Sequence, residues 1–272
     1  MSFTRNFQRS LKRAVFHASH VLSIKAKALY ITTILISLLL SFGIMYRAYS
    51  IILPILFIIV IGLEFIIIAI SGTLIDELKE GIAQMYLSAG ISRFEYISGW
   101  LFASLFYPIL TVVSAIIIPA FIISPETLVR EITISPYGSS SMPPLLLFST
   151  ALIIQIAEHV AIAISIAIYT KRKGLAWFIL VLFSLILPFI SFLIASLIYF
   201  MMMGPRYINP MDQQLIYSLI TSIFSPLIAL SSFPFNHPQK NIFLSLILLI
   251  PLIVTLAIII VFLLYVKKGL EV

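Results

Sequence analysis

The chain has 272 residues, of which 61% are hydrophobic and only 10% are charged. A soluble domain of this length is nearer half apolar and a quarter charged, so this composition predicts an all-α polytopic membrane protein instead. Cysteine is absent, which excludes a disulfide framework, a thiolate nucleophile and a cysteine metal site. The net charge of +7 follows the topology described below, so we expect a lipid bilayer as a partner and no nucleic acid.

Residues 1–27 form the first predicted element. Apolar side chains recur at helical spacing at Phe3, Phe7, Leu11, Val15, Ala18 and Leu22, and the basic side chains Arg5, Arg9, Lys12 and Arg13 lie off that stripe. The pattern predicts a basic amphipathic helix lying in the membrane interface on the anionic cytoplasmic leaflet. A solvated basic tail is the alternative. His17 and His20 lie on this element and are expected to be plain interfacial residues, with no metal site.

Six apolar segments are long enough to cross the hydrocarbon core. They are Ala28–Tyr46, Ile51–Ile75, Ile97–Ile123, Pro144–Tyr169, Leu175–Met201 and Ile242–Val266. With the N-terminus inside, the inner segments hold thirteen basic residues and the outer ones four. This positive-inside asymmetry predicts a multi-pass plasma-membrane protein with both termini in the cytoplasm. Residues 1–272 make a single transmembrane domain.

The outer segment 202–241 contains one further apolar stretch, Leu215 to Phe233. If this stretch crossed the membrane, Lys267 and Lys268 would lie outside. It also carries Pro226 in mid-run. We therefore expect a helix pair or re-entrant hairpin between spans five and six, which is allowed where protein covers its backbone.

The longest polar interruption on the inner side runs from Asp76 to Trp100 and contains the predicted coupling region, residues 76–96. Apolar side chains at helical spacing, namely Leu78, Ile82, Met85, Tyr86 and Ala89, predict a short amphipathic helix that breaks at Gly90. Ser92 is placed to cap the next helix together with Glu95. We call this coupling region, residues 76–96, the knob. We expect it to dock a partner, with the Asp76–Gly90 segment moving as one rigid lever.

Three ionisable residues fall within predicted spans: Glu64 in the second, and Glu158 and His159 in the fourth. A charge at the centre of a bilayer costs about 3 kcal/mol or more, so each is a candidate functional residue. One interpretation is a polar feature lining a substrate or proton route. The other is a buried hydrogen-bonded pair of Glu64 and Glu158, which lie at similar depth, with one or both carboxyls protonated, that fixes how the helices dock.

The order of elements resembles that of a type-2 ABC transporter permease, the exporter-type membrane subunit. The matching run is Glu80-Gly81-Ile82, Met85-Tyr86-Leu87, Ala89-Gly90-Ile91-Ser92-Arg93, Glu95-Tyr96 and Gly99-Trp100. It departs from the family pattern at Ile82, Gly90 and Trp100, where Thr, Pro and Lys are usual.

The resemblance implies a dimer of permeases and a separate ABC ATPase subunit that holds ATP and Mg. The ATPase would act on the coupling region through Glu77, Glu80, Gly81, Gly90, Arg93 and Glu95. Spans two and five would line the route, with Glu64 facing it and Glu158 structural. The cargo is expected to be amphipathic or lipid-like, because the predicted walls are apolar and carry few charges.

The chain itself carries no nucleotide-binding motif, so it is expected to be a transport subunit and not an enzyme. Two alternatives remain open. An ion-coupled secondary transporter would use Glu64 and Glu158 as proton sites. An intramembrane enzyme acting on lipid would use Glu158 and His159 as acid and base.

Overall fold

A computed structural model of the protein describes residues 2–25, 31, 35, 49–117, 132–133, 141–142, 145–203, 210–231, 233 and 240–269. Nearly all of these residues are helical, which confirms the prediction of an all-α fold. The helices are α1 Ser2–Lys25, α2 Tyr49–Lys79, α3 Ile82–Ser88, α4 Arg93–Val112, α5 Leu145–Thr170, α6 Lys173–Val181, α7 Leu187–Met203, α8 Pro210–Thr221, α9 Pro226–Ser231 and α10 Lys240–Gly269. The first predicted span, Ala28–Tyr46, lies outside the described residues apart from 31 and 35.

Helix α5 is the centre of the bundle, with α2, α4, α6, α9 and α10 packed around it. Its small residues Ala151, Ala163 and Ala167 are fully buried, so the neighbouring helices can approach its backbone closely. Two described helices are long and apolar enough to cross a membrane: Leu146–Thr170 within α5 and Asn241–Val261 within α10. The first is 78% buried inside the protein and the second 17%, so α10 lies on the outside of the bundle.

Two of the long helices widen into a single π-helical turn. Helix α4 continues into Val113–Ile117, five residues after Pro108, and Leu182–Ile186 joins α6 to α7 just before Pro188. Proline has no backbone N–H to donate to the carbonyl four residues earlier, and helices often bend or widen near such a position. The predicted fifth span, Leu175–Met201, is therefore one helical run interrupted by this turn.

Helix α1 packs lengthwise along α4. Ser10 contacts Glu95, and Ala14 lies against Gly99, so the same 85-residue offset holds over successive turns. A side chain at Gly99 would meet the backbone and Cβ of Ala14 at 2.7 Å, so only glycine permits this approach. The predicted amphipathic helix is thus present, and its buried face packs on α4.

The segment between α7 and α10 forms a helix pair, as predicted. Helix α8 packs on α7, a turn follows at 222–225, and α9 packs on α5 and α10. Between predicted spans three and four the structure adds a two-residue antiparallel ladder that the sequence does not indicate. This ladder pairs Ile132 with Met142 and Thr133 with Ser141.

Candidate functional site

The predicted coupling region, residues 76–96, is not one helix: it holds the end of α2, the short helix α3 and the start of α4. Helix α2 runs on through Asp76 and Glu77 to Lys79, and the chain then reverses at Gly81, which has φ +73°. Only glycine adopts this conformation without strain. Asp76–Gly90 is therefore not one continuous helix, because the left-handed residue at Gly81 separates α2 from the seven-residue α3.

Helix α3 ends in a Schellman motif. The N–H of Gly90 donates to the carbonyl of Leu87 at 3.1 Å, and the N–H of Ile91 donates to the carbonyl of Tyr86 at 3.2 Å. Gly90 has φ +87°, which explains why the chain breaks there. The buried side chain of Ile91 then leads directly into the next helix.

Helix α4 begins with the capping box that the sequence predicted. The Glu95 N–H donates to Ser92 Oγ at 3.2 Å, and the Ser92 N–H donates to Glu95 Oε2 at 2.8 Å. The Ser10 hydroxyl of α1 donates to the other carboxylate oxygen. Burial alone would raise the pKa of Glu95, but the hydrogen bonds from Ser10 and Ser92 lower it below its ordinary value. Glu95 therefore faces inward and fastens α1 to the start of α4.

A network of four side chains joins α1, α2, α3 and α4; we call it the junction network. His17 Nε2 lies 2.8 Å from Glu77 Oε1, and the Tyr86 hydroxyl lies 2.7 Å from His17 Nδ1. Tyr96 donates to the second oxygen, Glu77 Oε2, at 2.6 Å. A His17 tautomer with its proton on Nε2 satisfies both contacts, because it donates to Glu77 and accepts from Tyr86. Each of the four helices contributes one member.

The two tyrosines remain protonated in this environment. Burial, and then the charge of Glu77, raises the pKa of Tyr86 above its ordinary value of 10.0. The same causes in the same order raise the pKa of Tyr96 strongly. Both hydroxyls thus act as donors at any physiological pH, and the Glu77 carboxylate is only 1% exposed.

The outer face of the knob is accessible. Exposed side chains there are Glu80 on the turn and Gln84, Met85 and Ser88 on α3; Met85 is 61% exposed. Arg93, at the first turn of α4, is half-buried. Of the six residues predicted to couple to a partner, Glu80 and Gly90 are exposed, while Glu77 and Glu95 lie inside.

A second cluster lies midway along α2 and α5; we call it the mid-helix cluster. His159 Nδ1 lies 2.5 Å from Glu64 Oε1, and Gln155 Nε2 donates to the same oxygen at 3.2 Å. Ser225 donates to Gln155 Oε1 at 2.9 Å. His159 Nε2 donates to the carbonyl of Phe224 at 3.1 Å. The cluster ties α2 and α5 to the turn between α8 and α9.

The second nitrogen of His159 limits the protonation states of the pair. The Phe224 carbonyl only accepts, so Nε2 must carry a proton. The remaining proton lies on the axis between Nδ1 and Glu64, and the pair is neutral overall wherever on that axis it is held. A neutral pair is the form that a low-dielectric environment tolerates.

Glu158 lies apart from this cluster despite being adjacent to His159. Its side chain is 0% exposed, and neither carboxylate oxygen has a hydrogen-bond partner among the described residues. Neighbouring residues on a helix point about 100° apart. The structure thus brings Glu64 and His159 together and leaves Glu158 out, so Glu64 pairs with the histidine and not with the other carboxylate.

Several members of both clusters carried little signal in the sequence. The sequence indicates no site role for His17 or Tyr96. It indicates none for Gln155 either, although Gln155 lies one turn from His159 on the same apolar helix. Polar residues one turn apart in an otherwise apolar segment are the signal that would have found Gln155. Among the described residues, no three His, Asp or Glu side chains are grouped so as to hold a metal ion.

Comparisons of the chain with protein-family models, with curated proteins and with solved structures gave no match.

Proposed function

We propose that this chain is the transmembrane permease subunit of an ATP-driven ABC exporter. The observation that carries the proposal is the construction of the knob. A seven-residue surface helix is fixed at both ends, tied inward through Tyr86 and open outward at Glu80, Gln84 and Met85. Such a helix can receive a push from a soluble partner and pass it to two long apolar helices.

The junction network supplies a route for that push. A displacement of α3 moves Tyr86 and, through His17, changes the position of Glu77 on α2. Because Tyr96 holds the other oxygen of Glu77, α4 moves with it. The moving body in this proposal is α3 alone, with α2 and α4 as the helices that respond.

The proposed topology has six spans, both termini in the cytoplasm, and a plasma-membrane location. Helix α2 has 31 residues and would cover about 46 Å, enough to cross the hydrocarbon core and continue into the knob. Helices α5 and α10 meet the length and apolarity of a span. The pair α8–α9 would enter from the outer face, its backbone covered by α5, α7 and α10.

The proposed partners are an ABC ATPase subunit, which would hold ATP and Mg, and a second permease copy. The cargo would be amphipathic or lipid-like.

Gentle extraction tests the proposal directly. The tagged full-length chain should retain an ATPase subunit through purification in mild detergent, detected by mass spectrometry, and the complex should hydrolyse ATP. Recovery of the chain with no ATPase under these conditions would refute the proposal.

Charge reversal on the knob locates the contact. Glu80→Lys should separate ATP hydrolysis from transport without reducing insertion, because Glu80 is exposed and its side chain holds no described contact. Glu126→Lys is the matched control, since it makes the same change of charge between predicted spans three and four, on the predicted outer side. Equal transport per ATP in Glu80→Lys and in the unmodified complex would argue against docking at α3.

The mid-helix cluster favours a second candidate, an ion-coupled transporter. Glu64 and His159 are hydrogen-bonded between two helices, and Glu158, next to His159 in the sequence, is a second buried carboxyl. This candidate predicts transport in proteoliposomes driven by a pH gradient without ATP, and lost in Glu64→Gln. Transport that needs ATP and ignores the gradient would exclude it.

A further inference from the structure

The outer face of α1 carries an unusual mixture of charge and apolar surface. No acidic residue occurs among residues 1–27, and the exposed side chains of α1 include Lys12, Arg13, Phe16 and Ile24. Phe16 is 75% exposed even though the buried face of the same helix packs on α4. An exposed Phe16 ring, with exposed Lys12 and Arg13 one turn before it on the same helix, is suited to the boundary between lipid headgroups and acyl chains.

Phe16 separates two grooves. The first, of about 400 Å³, lies between α1 and the end of α3. Its α1 wall presents Arg13, His17 and His20, and its far wall presents Tyr86, Ala89 and Ile91. No carboxylate lines it: Glu77 is buried beneath His17, and buried Glu95 accepts from Ser10 and Ser92. This groove is complementary to an anion.

The second groove, of about 540 Å³, lies on the other side of Phe16, between α1 and α4. Leu11, Val15 and Phe102 make it apolar, and Lys12 is on its wall. Phe102 begins a stripe of exposed apolar side chains along α4 that continues at Phe106 and Leu110. These residues follow one another at intervals of one turn, so the apolar surface leads away from the cationic groove along α4.

We propose that the two grooves form one binding site for an acidic phospholipid, with the headgroup phosphate at Arg13 and His20 and an acyl chain lying against Phe16, Phe102 and Phe106. The charge of the first groove selects an anionic headgroup, and the adjoining apolar groove selects a lipid over a free anion. The site requires α1 at a membrane surface but requires no ATPase, so it stands or falls separately from the proposed function. Its occupant would bridge α1 and α3 beside the junction network.

Ligand-induced stabilisation tests the proposal. The purified full-length chain in a neutral detergent is titrated with phosphatidylglycerol or with phosphatidylcholine of the same acyl composition, and the midpoint of thermal unfolding is followed. Phosphatidylglycerol should raise the midpoint saturably and phosphatidylcholine should not. Equal effects of the two lipids, or no effect of phosphatidylglycerol, would overturn the site.

Two substitutions separate the site from a diffuse charge effect. Arg13→Gln should weaken the apparent affinity for phosphatidylglycerol about tenfold, as expected for loss of one charge-assisted contact. Arg172→Gln removes the same charge from the exposed link between α5 and α6 and should change the affinity less than about twofold. Equal losses in the two variants would mean that the chain's net charge attracts the lipid, and would overturn the proposal.

A headgroup without acyl chains tests the second groove. Glycerophosphoglycerol and inorganic phosphate, at the lipid concentration that saturates, should not raise the midpoint. Phe16→Ala, at a position 75% exposed and therefore compatible with folding, should weaken phosphatidylglycerol binding several-fold. Stabilisation by the free headgroup, or full affinity in Phe16→Ala, would show that the apolar groove takes no part.

Discussion

The junction network and the mid-helix cluster both contain a glutamate held by a histidine, but they satisfy the carboxylate differently. In the junction network each oxygen of Glu77 has its own donor, His17 on one side and Tyr96 on the other. In the mid-helix cluster both donors, His159 and Gln155, reach the same oxygen of Glu64. The first arrangement joins four helices near a surface groove, and the second draws both donors to Glu64 from the single helix α5.

This difference determines how much stability is lost when one side chain is removed from each cluster. Half-buried His17 and Tyr86 line an open groove, so water can replace a missing partner there. His159 is 1% exposed and has only the protein around it. Removing a partner should therefore cost more in the mid-helix cluster than in the junction network.

The largest effect is expected for Glu64→Ala. The substitution leaves His159 buried without its partner and should lower the free energy of unfolding by about 3–5 kcal/mol. Denaturation in mixed micelles of a mild detergent and sodium dodecyl sulfate measures it. Glu158→Gln is the control: no described hydrogen bond is lost, so its effect should stay within about 1 kcal/mol. Equal losses in the two variants would contradict the assigned pairing.

The next effect concerns the contact that holds His17 in place. Gly99→Ala would put a methyl group 2.7 Å from the backbone of Ala14 and should destabilise the chain by about 1–3 kcal/mol, because α1 must move away from α4. Gly62→Ala, a helical glycine with open space around the added methyl group, should be neutral or stabilising. The same denaturation assay compares them, and similar losses would mean that the close packing of α1 is not needed.

A smaller loss is expected for His17→Ala. It removes one donor from Glu77 and the acceptor of Tyr86, at a cost of about 1–2 kcal/mol in unfolding free energy, because water can replace part of both contacts. His17→Gln keeps a donor and an acceptor and should recover part of the loss. His20→Gln, measured without acidic lipid, should change little because His20 is exposed. A loss in His17→Ala as large as in Glu64→Ala would remove the distinction between the two clusters.

The smallest effect comes from the capping box. Ser92→Ala should cost about 1 kcal/mol. Because the folded-state pKa of Glu95 lies below its ordinary value of 4.5, its contribution is present above pH 4.5 and is lost as pH falls through the lower folded value. The stability difference between the unmodified chain and Glu95→Gln should therefore shrink on acidification below pH 4.5. A difference independent of pH would show that the carboxylate charge is not involved.

Features that depend on residues close together in the chain, such as helix caps and helix breaks, could be predicted from the sequence. The Ser92–Glu95 box, the break at Gly90 and the helix pair around Pro226 depend on residues within a few positions of one another, and all three are present. The limits of α5 and α10 lie within three residues of the predicted spans at the ends that the structure describes.

Partner choice could not be predicted in the same way. His17 meets Glu77 and Tyr86 across 60 and 69 positions of the chain, and a periodic stripe indicates only which face is apolar. The sequence favours pairing Glu64 with Glu158, because both are carboxylates at similar depth in predicted spans. Glu158 and His159 point about 100° apart on α5. Only the packing of α5 against α2 determines that His159, and not Glu158, faces Glu64.

The wide turn at Leu182–Ile186 has a consequence for insertions and deletions. A π-helical hydrogen bond encloses one residue more than an α-helical one, so this stretch holds a single surplus residue between α6 and α7. Shortening the chain by one residue there would give an unbroken α-helix whose two ends keep their facing sides. A one-residue deletion between Leu187 and Ser191 would instead rotate Ser191 away from Thr221 and break that hydrogen bond between α7 and α8.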